Sequence, residues 1–110
     1  MIQLRVTYRL RAHHTAAFEQ IFQREILPVV HDHGLQFRGI WRTHTGNVGE
    51  YMEIWEFWSM TEYAERWPKL INDPRIQKIF ERTGPMVEDE NWTLLEPVLN
   101  AQAPGSRDAD

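Results

Sequence analysis

The chain opens on a strict alternation. Ile2, Leu4, Val6, Tyr8 and Leu10 fall on one side of an extended backbone, and Gln3, Arg5, Thr7 and Arg9 on the other. A side-chain period of two predicts a strand over residues 2–10 with one wetter face. The period changes after Ala12-His13-His14. Phe18, Ile21, Phe22, Ile26, Val29 and Val30 recur every three or four residues, which predicts a helix from an N-cap at Thr15 to about His33. Pro28 interrupts this stripe and is expected to kink or unwind the helix. Gly34 stands where a left-handed C-terminal cap belongs. Alternation returns over residues 36–44, with Phe37, Gly39, Trp41 and Thr43 expected on one face. It returns again over residues 50–58, with Tyr51, Glu53, Trp55 and Phe57 opposite Met52, Ile54, Glu56 and Trp58. The Gly-containing link over residues 45–49 predicts a hairpin between these two strands.

Ser59 and Glu62 have the spacing of a capping box, so a helix follows to about Leu70, with Pro68 bending or ending it. Asp73-Pro74 has the chemistry of a second helix start, an acid as cap and proline in the first turn. Ile76, Ile79 and Phe80 form its apolar stripe, and Gly84-Pro85 stops or bends it. A last strand is predicted over residues 92–98, where Trp92, Leu94, Glu96 and Val98 alternate with Asn91, Thr93, Leu95 and Pro97. The order strand, helix, strand, strand, helices, strand predicts an α+β fold of the ferredoxin-like βαββαβ type, a four-stranded antiparallel sheet with helices on one face. Residues 1–99 form this domain, and the small polar residues 100–110 are expected to be a disordered tail. The apolar residues on the second face of the two middle strands call for a cover. A second copy of the chain, giving a homodimer, is the simplest one. The acidic partners expected for Arg5 and Arg9 are Glu53, Glu56 or Glu96.

Gly34, the run Phe37-Arg38-Gly39-Ile40-Trp41-Arg42-Thr43, Gly46, the run Ile54-Trp55-Glu56-Phe57-Trp58-Ser59, Asp73-Pro74 and Phe80 resemble, in order and spacing, the NIPSNAP family of the dimeric α/β-barrel superfamily. The resemblance covers residues 2–98. It implies a ferredoxin-like homodimer, a dimeric α/β barrel, with a cavity between sheet and helices in each subunit. The wider superfamily includes cofactor-free monooxygenases, polyketide cyclases, lactone isomerases and haem-degrading enzymes. The family pattern often carries His at the position of Glu53, two before Trp55, so chemistry resting on that His does not carry over.

Composition narrows the function further. There are no cysteines, hence no disulfide framework, thiol nucleophile or zinc–thiolate site. The formal net charge is −4, from 12 basic and 16 acidic residues, which argues against a general nucleic-acid binder. No apolar run is long enough to span a membrane, and no leader pattern precedes Ile2, so a cytoplasmic location is expected. No G-x-S-x-G, G-x-G-x-x-G or phosphate-loop signature occurs, so neither a serine hydrolase nor a nucleotide-cofactor site is predicted, and no cofactor is assigned. Five Trp, three Tyr and five Phe are many rings for 110 residues. Some are expected to line a pocket or an interface.

Glu53 is the clearest candidate. It intrudes between Tyr51 and Trp55 on an apolar strand face, where burial would raise its pKa and equip it to move protons. The alternative is a structural ion pair with Arg5, Arg9 or Arg42. His13 and His14, in the first strand-to-helix turn, are candidate proton carriers, or else solvated turn residues. Trp41, Tyr51 and Trp55 are expected to share an aromatic wall for a hydrophobic or aromatic small molecule, with Arg42 and His44 nearby; otherwise the rings are core or interface. His31-Asp32-His33 is not read as a metal site, because helical residues two apart do not face each other. Two functions compete. One is a cofactor-independent enzyme of monooxygenase, isomerase or cyclase type. The other is a non-catalytic ligand-binding or protein-interaction dimer.

Overall fold

The computed structural model describes residues 1–99. The expectation for residues 100–110 therefore lies outside the described residues. Four strands form one antiparallel sheet: β1 (Ile2–Leu10), β2 (Gln36–Arg42), β3 (Glu50–Phe57) and β4 (Val87–Leu95), in the order β2-β3-β1-β4. Helices α1 (Thr15–Ile21) and α2 (Leu27–Asp32) follow β1, and α3 (Met60–Ile71) and α4 (Pro74–Thr83) follow β3. This is the ferredoxin-like α+β fold that the pattern predicts. Leu4, Val6 and Tyr8 of β1 and Trp55 and Phe57 of β3 are buried under Phe18, Phe22, Val30, Trp67 and Ile76 of the helices. The core thus lies between one sheet face and the helical layer. Among the described residues no helix is long and apolar enough to cross a membrane.

Most predicted boundaries hold, and the departures have local causes. Thr15 is not an N-cap: its hydroxyl donates to the Ala12 carbonyl (3.0 Å) across a short 3-10 turn at Ala12–His14. The single helix expected from Thr15 is three pieces. Between α1 and α2, residues Phe22–Ile26 take a π-helical turn, closed by the Leu27 N–H donating to the Phe22 carbonyl five residues back. Pro28, which lacks an N–H and crowds the carbonyl four residues before it, falls in the first turn of α2, where neither defect matters. Gly34 does take the left-handed conformation, at φ +67°. Ser59 and Asp73 cap α3 and α4 through the N–H groups of Glu62 (3.1 Å) and Arg75 (2.8 Å). Pro68 sits inside α3 without ending it.

Two β-bulges reshape the sheet. In β2, Phe37 is opposite Trp55, but Gly39 is opposite Ile54 and Ile40 opposite Glu53, so Arg38 is the extra residue. The bulge reverses the facing of everything after it. Gly39 accommodates it at φ +146°. In β4, Asn91 is opposite Thr7 and Glu88 opposite Arg9, with Asp89 at a positive φ of 56°. This strand begins at Val87, five residues before the predicted start, and ends at Leu95. The bulge and the acidic run Glu88-Asp89-Glu90 break the alternation that would have revealed its first half.

Candidate functional site

The site is built on the middle of the sheet. β3 turns the Glu53 side chain toward the helices, where the residue is only 8% exposed. Two neutral donors hold it. The Tyr8 hydroxyl donates to Oε2 at 2.6 Å, and the Trp55 indole N–H donates to Oε1 at 3.0 Å. Tyr8 reaches it diagonally, because Val6 is directly opposite Glu53 while Tyr8 is opposite Tyr51. The Glu53 pKa is raised to about 7. Burial is the main cause and the nearby Glu90 adds to it, while the two hydrogen bonds oppose both. Burial and the Glu53 charge also push the Tyr8 phenol upward, so Tyr8 stays a proton-bearing donor.

The expected ion pair is absent. Arg9 pairs with Asp89 (3.1 Å) and Arg42 with Glu19 (2.8 Å), and Arg5 stands on the opposite face of the sheet, opposite Ile54 and Thr93. Of the other acids expected for Arg5 and Arg9, Glu56 meets Arg38 (3.2 Å) and Gln3 (3.3 Å) instead. Glu53 therefore has hydrogen bonds but no cation among the described residues.

Glu53 opens onto a cavity of about 270 Å³ between sheet and helices. Its walls are mainly aromatic. Trp55 meets Trp67 of α3 edge to face (centroids 5.1 Å), and Trp67 meets Trp92 of β4 the same way (5.6 Å). Phe18 and Phe22 close the α1 side, and Phe80 with Trp92 borders the more exposed edge. Glu90 also lines the cavity and accepts from the Trp92 indole N–H at 2.5 Å. Trp67 Nε1 is buried without a hydrogen-bond partner.

Of the residues singled out from sequence, Glu53 and Trp55 meet at this cavity and the others do not. Trp41 does not share a wall with Trp55; with Tyr51 and Arg42 it lines a separate, more open hollow at the β2 side of the sheet. The Arg38 bulge turns it to the outer face opposite Met52, where its ring is 50% exposed and lies over Gly39. Tyr51 is buried but donates to Glu19 at 2.5 Å, and Arg42 joins the same carboxylate at the sheet edge. His13 and His14 pack ring on ring (4.0 Å) in the 3-10 turn, outside the cavity lining. His44 bonds Thr45 (3.0 Å) in the exposed hairpin link. His33 is taken up by Asp73 (2.8 Å) and Asp32 by Arg75 (2.7 Å). Sequence reading missed Tyr8, Trp67, Glu90 and Trp92 as site residues. Tyr8 looks like any apolar member of its alternation, and Glu90 like a solvated acid. Glu-x-Trp recurs at Glu53, Glu56, Glu65 and Glu90, and at Glu53 and Glu90 the carboxylate takes the indole N–H of its own strand, a distinction that the spacing alone does not carry.

Fold and site define a ferredoxin-like α+β domain that holds a carboxylate in an aromatic cavity between sheet and helices. The NIPSNAP family model matches residues 2–102, and the chain belongs to that family. It is similar to an uncharacterised NIPSNAP domain protein from Burkholderia xenovorans, at 26% identity over 94% of this chain and 99% of that one, with a TM-score of 0.82. It is also similar to a NIPSNAP family protein of unknown function from Agrobacterium tumefaciens, at 25% identity over 88% and 87% of the two chains, TM-score 0.80. A Deinococcus radiodurans protein provisionally named an antibiotic biosynthesis monooxygenase shares the fold at 13% identity, over 96% of this chain and all of that one, TM-score 0.70. No curated protein matches.

Proposed function

We propose that this protein is a cytoplasmic homodimer that binds a hydrophobic small molecule in the cavity under its helices and uses Glu53 to move a proton on it. One observation carries the reading: Glu53 is buried in an aromatic cavity and held by two neutral donors, without a cation to keep it charged. A carboxylate near neutral pKa serves as acid or base at physiological pH with little bias to either. The Tyr8 hydroxyl fixes one oxygen, so the proton is exchanged from a defined position. Isomerisation and cyclisation need such a group and no cofactor. The monooxygenase name carried by a fold neighbour is a third option of the same cofactor-free kind. His13 and His14 have no part in this reading.

The exposed outer face favours a second role, a protein-interaction dimer. That face carries Trp41 (50% exposed), Trp58 (65% exposed) lies just past the end of β3, and the buried Arg5 Nε has no hydrogen-bond partner among the described residues. The two readings separate on one variant. Glu53→Gln keeps the side-chain volume, and the Tyr8 hydroxyl can rotate to accept from the new amide. The folded dimer should persist, while the compound that copurifies with the wild type, identified by mass spectrometry, should be lost or left unconverted. An unchanged compound, turned over at the wild-type rate, would remove Glu53 from the site and favour the interaction role.

A further inference from the structure

The charged side chains that line the cavity are all acidic: the carboxylates of Glu53 and Glu90, with no Arg, Lys or His among the described residues, and its neutral polar groups include the Tyr8 and Thr83 hydroxyls. The groups that face Glu53 from each packed element are Tyr8 of β1, Trp55 of β3 and Glu90 of β4, while the helices contribute Phe18, Phe22 and Trp67 around it. An anionic ligand would meet two carboxylates and no counter-charge in surroundings of low dielectric. That disfavours carboxylates and phosphates at this site. A neutral ligand would leave the ionised form of Glu53 uncompensated. A cation would supply the missing charge, and the faces of Trp55, Trp67 and Trp92 would reinforce it, since indole is the strongest aromatic partner of an ammonium group. The volume of about 270 Å³ is just below the usual range for ligand pockets, so the ligand has roughly one ring.

Building on the function proposed above, we propose that the cavity takes a small organic amine as its cation, with the ammonium group against Glu53 and an apolar or aromatic body among the Trp and Phe rings. Binding then pairs the ammonium with ionised Glu53, and any proton that Glu53 gives up on binding is released to solvent.

The test uses the wild-type protein and three one-ring probes of equal length: phenethylamine, phenethyl alcohol and phenylacetate. Each is titrated at constant ionic strength, at about pH 6 and about pH 8, with the cavity tryptophans as fluorescent reporters. At the higher pH the amine should bind at least about tenfold tighter than the alcohol, and phenylacetate should not bind measurably. The amine should weaken about tenfold at the lower pH as Glu53 takes up its proton, while the alcohol should not. Glu53→Gln should bring amine and alcohol to equal affinity; should that variant fail to fold, the wild-type pH series decides alone. Equal affinities for alcohol and amine, or preferred binding of phenylacetate, would overturn the amine assignment and leave the cavity reading standing. Silence from all three probes would overturn both.

Discussion

A carboxylate that is 8% exposed, with no cation beside it, costs stability whenever it is charged. Glu53 has its pKa raised from an ordinary 4.5 to about 7. The unfolded chain gives up this proton at the lower pH and the folded chain at the higher. Its contribution is therefore fully present below about pH 4.5 and is lost as the pH rises through about 7. The loss is on the order of 3 kcal/mol. Denaturant titrations across this window should show wild-type stability falling on that account while Glu53→Gln stays flatter. A Gln variant that tracks the wild type would show that Glu53 is hydrated and ordinary. Tyr8→Phe removes a donor to the charged form, so it should lower stability by about 1–2 kcal/mol above neutral pH and much less in acid, read from the same titrations. Trp55→Ala empties a wall shared with Trp67 and should cost about 3–5 kcal/mol in a thermal melt. At this scale Glu53 was legible because a charge within a period of two stands out. Its surroundings were not, because the choice between an arginine and a tyrosine depends on the register between strands that are far apart in sequence.

The elements were legible wherever one period runs unbroken, as along β1, and misread wherever a residue is added. Alternation carried through Gly39 places Trp41 beside Trp55; the Arg38 bulge sends it to the other face and brings Ile40 and Arg42 inward. The same change of phase hid the first half of β4. Gly39 is the residue on which the β2 bulge depends. A Cβ there would lie 2.8 Å from the Trp41 ring, on a backbone at φ +146° that side chains rarely adopt. Gly39→Ala should cost roughly 1–3 kcal/mol, or else slip the register of β2. Thermal melting reads the first outcome and a change in Trp41 fluorescence the second. Wild-type stability with unchanged emission would mean that the bulge tolerates a side chain. The caps of α3 and α4 needed no tertiary information, because a cap is settled within four residues, and Ser59 and Asp73 act as their spacing predicts.

For the whole molecule, the helices cover one face of the sheet and leave the other to find a partner. Trp41, Met52 and Ile54 stand on that second face, Trp58 lies just past the end of β3, and the Arg5 Nε has no hydrogen-bond partner among the described residues. A second copy would cover the exposed rings. Light scattering should give twice 13.1 kDa. Trp58→Asp, at a site 65% exposed in the single chain, should return the mass to that of one chain with the sheet intact. A stable single-chain mass for the wild type would reject the dimer. Sequence patterning showed that both faces were apolar. Which face carried the site depended on the bulge, and so on the assembled sheet.

The π-helical turn between α1 and α2 also has a history to tell. Phe18, Phe22, Ile26 and Val30 all face the core, each four residues after the last. In an unbroken α-helix a step of four overshoots by about 40°, so three steps would carry Val30 about 120° off the stripe. One residue absorbed by the wide turn brings this back to about 20°. The turn thus has the form of a one-residue insertion accommodated without rotating either half, and Pro28 stands in the first turn of the helix that follows it. Excision should be as quiet as acquisition. A chain lacking Arg24 and carrying Pro28→Ala should fold with one continuous helix, whereas the loss of a single residue from the middle of α3 should put Trp67 and Leu70 out of phase with the sheet. On this reading the Phe22–Ile26 turn is where the chain should be able to lose one residue and keep its fold.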